Sequence, residues 1–163
     1  MQYKQETKNE MTFVGIAINT SVQNAPKDCP EVWNKFMQRY KEIENYIGGM
    51  KNYGISLTHS NKDCTFRYIA CAEVSEIGNI PEGMEKVETP KSDYLIFEHK
   101  GKLELIGETY GKIMEFLPTI DVEQNDQFWV EFYDYRWEGD KEESLFEIWV
   151  PLKRGLNSTY DLI

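Results

Sequence analysis

Residues 144–153 read SLFEIWVPLK, and the rest of the chain is best understood from this stretch outward. Phe146, Ile148 and Val150 alternate with Leu145, Glu147 and Trp149, the period-two pattern of a β-strand. Successive strand side chains point to opposite faces, so Glu147 and Trp149 share a face with Leu145, away from Phe146, Ile148 and Val150. Pro151 removes a ladder donor and ends the run or places it near an edge. A carboxylate on so apolar a strand has two readings. It faces water on a half-solvated antiparallel sheet, the commoner place for a glutamate. Alternatively it is the polar anchor of a ligand cavity, in which case burial demands a partner or a raised pKa.

The bulk numbers narrow the field. A chain of 163 residues and 19.2 kDa suits one domain, here residues 1–163 with a peripheral tail at 154–163. Ten Tyr, eight Phe and four Trp supply rings for a core and for a pocket that takes flat or cationic molecules. A net charge of -10 argues against a nucleic-acid partner and favours cationic ligands. Three cysteines, at 29, 64 and 71, and two histidines have no metal-site spacing, so we expect no metal and no cofactor. Isolated reduced thiols fit a cytoplasmic protein. The first ten residues lack the apolar segment of a signal peptide, and no run approaches a membrane span.

Along the chain, residues 1–10 are polar and lead into a strand at 11–19, where Gly15 marks a bulge or a close backbone approach. Residues 20–30 read as a loop. Residues 30–47 read as a helix with Pro30 in its first turn and an apolar stripe of Trp33, Phe36, Met37, Tyr40, Ile43 and Ile47, closed by Gly48 and Gly49. Strands follow at 53–58 and 66–76. In the latter Phe66, Tyr68, Ala70, Ala72 and Val74 share one face, and Arg67, Ile69, Cys71 and Glu73 the other. Short strands are expected at 84–89 and 93–99 and a second helix at 103–117, bearing Ile106, Tyr110, Ile113, Met114 and Leu117. Residues 128–137, FWVEFYDYRW, form an aromatic strand with Trp129, Glu131, Tyr133 and Tyr135 on one face. The order strand-helix-strand-strand occurs twice. This predicts an α+β domain of duplicated units: a curved antiparallel sheet, two helices on one face, and a ligand pocket on the other.

The stretches YGISL (53–57), FRYIACAEV (66–74), IPEGMEKVETPKSDYLIFEHKG (80–101), LPT (117–119), FYDYRW (132–137) and FEIWVPLK (146–153) resemble the GyrI-like small-molecule-binding family. That family includes the effector-binding domains of AraC-type and MerR-type bacterial regulators. The resemblance covers roughly residues 7–153. It implies a pseudo-twofold fold and a central pocket for bulky, often aromatic and cationic compounds. It also implies a pocket glutamate on the last strand, at Glu147 in Glu147-Ile148-Trp149-Val150-Pro151. The chain lacks a helix-turn-helix or other basic module, so it looks like a stand-alone version of the domain.

Three functions fit these residues. The first is a binding module for sequestration or sensing of lipophilic cations, multidrug binding in the manner of regulator-related domains. Its ligand set is Glu147, Trp149, Tyr68, Trp129, Glu131, Tyr133, Tyr135 and Cys71. Which face of 128–137 turns inward is left open by the sequence, since a one-residue slip flips the set; the face bearing Glu131 is preferred. The second is a hydrolase of strained electrophiles, cyclopropanoid alkylators among them, with Glu147 as the catalytic base and Glu131 or a tyrosine as helper. The third is an inhibitor that touches a protein partner such as DNA gyrase or a regulator.

Overall fold

A computed structural model describes residues 1–60 and 64–153, apart from the side chains of residues 59 and 60. The middle of the turn expected at 59–65 and the tail at 154–163 lie outside the described residues. The strands are β1 (Lys4–Lys8), β2 (Met11–Ser21), β3 (Asn52–Ser60), β4 (Thr65–Val74), β5 (Glu85–Thr89), β6 (Ser92–Lys100), β7 (Phe128–Tyr133) and β8 (Leu145–Pro151). The helices are α1 (Ala25–Arg39) and α2 (Ile106–Phe116). No helix among the described residues is long and apolar enough to cross a membrane.

All eight strands form one antiparallel sheet in the order β1-β6-β8-β7-β3-β4-β2-β5. The two units β2-α1-β3-β4 and β6-α2-β7-β8 are related about the β7/β3 pair, so the expected duplicated α+β architecture is the one observed. The sheet is strongly curved, and the chain itself shows why. Counted through the sheet, β1 and β2 are about 29 Å apart, six strand spacings. Yet only Asn9 and Glu10 join them, a link that spans roughly 10 Å. Lys8 pairs with Ser92 and Met11 with Thr89, so β1–β2 and β5–β6 continue one ladder in one register across this corner.

Both helices pack on one face. Val32 and Phe36 of α1 meet Val14, Ala70, Ala72 and Val74, while Ile113 of α2 meets Leu95, Phe97, Phe146, Ile148 and Val150. The alternations read in β4 and β8 therefore hold: their apolar faces turn to the helices. The opposite face, where a pocket was expected, is filled by a third core. Rings fill it, with Phe13 and Tyr53 meeting at 4.8 Å across the intervening β4, and Tyr94 and Trp149 at 5.7 Å on the neighbouring strands β6 and β8. In β2, Gly15 is a close approach and not a bulge. Its pairing runs unbroken from Thr12 to Ser21, and a side chain there would strike the Ala70 carbonyl.

Several boundaries differ from the sequence reading. Residues 4–8, read as a polar lead, form β1, because Lys4, Glu6 and Lys8 alternate as an edge strand on β6. The first helix starts at Ala25, with Pro26 in the first turn and Pro30 inside it, and ends at Arg39. A short 3₁₀ turn follows, then Asn45 at φ 59, so Ile43 and Ile47 are not on the helix. β7 stops at Tyr133, because the Asp134 carboxylate accepts the Arg136 backbone N–H at 3.0 Å and turns the chain.

Candidate functional site

The helix-covered face holds a carboxylate at the middle of the sheet. Glu131 lies on β7, directly opposite Gly54 of β3 and Ile148 of β8. It is 6 % exposed. The Tyr68 and Tyr133 hydroxyls donate to its Oε2 at 2.7 and 2.9 Å, and the Tyr110 hydroxyl donates to Oε1 at 2.7 Å. Trp33 Nε1 in turn donates to the Tyr68 hydroxyl at 2.8 Å. Five elements thus meet at one carboxylate: α1 through Trp33, α2 through Tyr110, β4 through Tyr68, β7 through Tyr133, and β3 beneath.

The rings support one another. Tyr133 stacks on Phe146 at 4.5 Å and meets the edge of Trp33 at 5.1 Å, and Trp129 stacks on Tyr110 at 5.7 Å. Such aromatic pairs hold their partners' rotamers. Burial first, and then the Glu131 charge, push the Tyr68, Tyr110 and Tyr133 hydroxyls well above the usual phenol range, so each stays a donor. Burial, with Glu131 and Asp28 behind it, pushes the Cys29 thiol up to about 12. Among the described residues Glu131 makes no ion pair. It is a buried anion held by neutral donors and walled by π faces.

Glu147 is the opposite case. It points to the helix-free face and is 3 % exposed, packed beside Trp149. Its Oε1 takes Arg136 Nη2 at 2.9 Å and Lys4 Nζ at 3.1 Å, and its Oε2 takes Trp149 Nε1 at 2.7 Å. Burial pushes this carboxyl up, but the bonds from Trp149, Arg136 and Lys4 outweigh it and hold the group below its ordinary value. Lys8 stands 4.9 Å over the Trp149 ring, where a cationic ligand would stand. The strand's charge and its indole are already satisfied from within.

The structure therefore divides the expected ligand set. Tyr68, Glu131 and Tyr133 come together, with Trp129 at the rim. Glu147, Trp149 and Cys71 lie on the other face, Cys71 in the core beside Tyr53. The pairing of Val130 with Trp149, and of Glu131 with Ile148, is what parts the two glutamates. Tyr135 lies past the end of β7 and is 72 % exposed, so it belongs to neither group. Sequence reasoning missed Trp33, Tyr110 and Gly54. The first two sat on helical stripes that read as core. A glutamate flanked on its own face by Trp129 and Tyr133, with no base two residues away, was the available signal. A surface cleft of about 480 Å³ lies elsewhere, lined by Asn19, Thr20, Ser21, Asn24, Thr65 and Phe66; its lining carries no charge to select an ion.

The sequence profile of the GyrI-like small molecule binding domain matches residues 1–153. The chain belongs to this family. Among curated relatives, the transcriptional regulator BrlR of Pseudomonas aeruginosa is 30% identical over 132 residues, which cover 79% of this chain and 48% of the regulator. The chain thus spans about half the length of that relative. Among solved structures, SAV2435 bound to tetraphenylphosphonium superposes with a TM-score of 0.75 at 18% identity, over 94% of each chain. The C-terminal domain of EcmrR gives 0.62 at 17% identity, covering 95% of this chain and 100% of that one. A hydrolase from Listeria innocua gives 0.57 at 9% identity, covering 93% and 92%. Identities this low establish a shared fold and nothing about chemistry. The GyrI-like domain described here is a small-molecule binding domain, and its helix-covered face carries the Glu131 cage.

Proposed function

We propose that this GyrI-like domain binds a bulky lipophilic cation against Glu131, between α1 and α2. One observation carries the reading: Glu131 is a buried carboxylate surrounded by aromatic rings and, among the described residues, without a counter-ion. Taking an anion out of water without a cation is costly, and a cationic guest with an apolar surface relieves that cost. Trp33, Tyr110 and Trp129 are only half-buried, so the approach to the carboxylate runs past them, between the helices. Cation–π contacts with these rings add roughly 0.5–2 kcal/mol each. The tetraphenylphosphonium held by SAV2435 supports this ligand class, and the regulator relative supports a sensing role. Calorimetry with tetraphenylphosphonium against neutral triphenylphosphine oxide tests it. Preference for the cation, abolished in Glu131→Gln, is the expected result; equal binding of both would sink it.

Hydrolysis of strained electrophiles is the second reading, favoured by the placing of a desolvated carboxylate beside the phenolic donors Tyr110 and Tyr133. The base would then be Glu131, because Glu147 is held by two cations. Water addition to a cyclopropane electrophile, followed by mass spectrometry in wild type and Glu131→Gln, separates turnover from binding.

A further inference from the structure

We infer that Gly54 is a positioning residue of the ligand site, whose missing side chain is the seat that lets the Tyr68 hydroxyl reach Glu131. The inference rests on the Glu131 reading for its consequence in binding, but its geometry stands alone. Tyr68 is on β4 and Glu131 on β7, with β3 between them, two strand spacings or about 9.6 Å. Gly54 sits opposite Glu131 on one side and Ala70 on the other, while Tyr68 is opposite Ser56. The Tyr68 ring therefore leans along the sheet and lies over Gly54 to place its hydroxyl on the carboxylate. A Cβ at residue 54 would strike that hydroxyl, and would stand 2.7 Å from Glu131 Oε2 and 2.9 Å from Tyr68 Cζ.

The backbone does not ask for glycine here. Positive φ occurs at Gly49, Gly83, Gly101 and Gly139, and Gly54 is not one of them. Glycine in a strand interior weakens the strand, and it commonly marks a place where another group comes close. At residue 54 the group that comes close is the phenol, which links Trp33 on α1 to Glu131. Any side chain there turns Tyr68 away, breaks both of its hydrogen bonds and leaves Oε2 with Tyr133 alone. The size of residue 54 thus sets the depth and the polarity of the cation seat.

The test is a double-mutant cycle with two readouts, thermal unfolding and tetraphenylphosphonium affinity, on wild type, Gly54→Ala, Tyr68→Phe and the double variant. Tyr68→Phe removes the hydroxyl, the nearest of the three atoms the new methyl would meet, and so relieves the largest part of the clash. It is expected to lower the melting temperature in the wild-type background and to raise it in the Gly54→Ala background. Gly54→Ala is expected to bind the cation roughly 10-fold more weakly, because the new methyl stands against Glu131 Oε2 and takes space from the seat, and no more weakly than the double variant, which carries the same methyl. A folded double variant beside an unfolded Gly54→Ala also supports the seat. The inference is overturned if Tyr68→Phe costs the same in both backgrounds, if Gly54→Ala matches wild type, or if both alanine variants fail to fold. Failure of wild type to bind the cation would instead overturn the ligand reading, and the melting cycle would still judge Gly54.

Discussion

Exchanging each buried glutamate for glutamine should separate binding from stability. In Glu131→Gln the shape is kept and the charge removed. A cation about 5 Å from the carboxylate gains roughly 3 kcal/mol at an effective dielectric near 20, so its affinity should fall about 100-fold. Stability should hold or rise. The three phenols lose charge-assisted bonds, but a buried carboxylate that has no counter-ion among the described residues is removed from the folded state. In Glu147→Gln the balance reverses. Arg136 and Lys4 lose their common partner, although both are partly in water, with side chains 26% and 50% exposed, which screens the pair. A loss of about 1–3 kcal/mol follows, or a melting point lower by roughly 2–10 °C in a chain of this size. Cation affinity should stay within a few-fold of wild type. Titration calorimetry and differential scanning calorimetry on both variants decide the matter. Should Glu147→Gln lose the ligand while Glu131→Gln keeps it, the assignment of the site is wrong.

Other outcomes follow from the same geometry. Because Glu147 is held below its ordinary value near 4.5, its contribution to stability is complete above that pH and is lost as the pH falls through the lower folded value; the acid limb of a pH–stability profile should flatten in Glu147→Gln. His99 contributes in the same sense. Burial lowers its pKa and outweighs the opposing Lys102 carbonyl, so stability present above about 6.5 declines as the pH drops below it, and less so in His99→Gln. Iodoacetamide at pH 8 should alkylate exposed Cys64 first, Cys29 slowly because its thiol is pushed up to about 12, and Cys71 only on unfolding; peptide mass spectrometry reads the order. Tyr135→Ala should leave cation affinity unchanged within about twofold, whereas Tyr110→Ala should weaken it several-fold by removing a ring from the wall of the site.

How much of this was legible beforehand depends on distance along the chain. In SLFEIWVPLK the alternation alone assigned Phe146, Ile148 and Val150 to one face and Glu147 and Trp149 to the other, and β8 is built that way. The aromatic strand around Glu131 was read equally well as far as Tyr133. Its last residues turned instead because the Asp134 side chain takes a backbone N–H, a local competition that a strand pattern conceals. The duplicated order of elements and the family resemblance carried the topology. The resemblance also pointed to the arrangement proposed as the site, a carboxylate among aromatic rings.

What the amino-acid sequence determined by itself was therefore the alternation inside each strand and the middle of each helical stripe, though not the ends of the elements, where Ile43, Ile47 and Tyr135 fell outside. Tertiary structure alone decided which carboxylate is neutralised. Arg136 reaches Glu147 around a turn, and Lys4 reaches it from a strand that pairs with β6, so that charge is answered. Among the described residues, Glu131 is met by phenols delivered from α2, β4 and its own strand. The physical reason is register: a shift of one residue between β7 and β8 would put both glutamates on the same face, and nothing in either strand's own pattern sets that pairing.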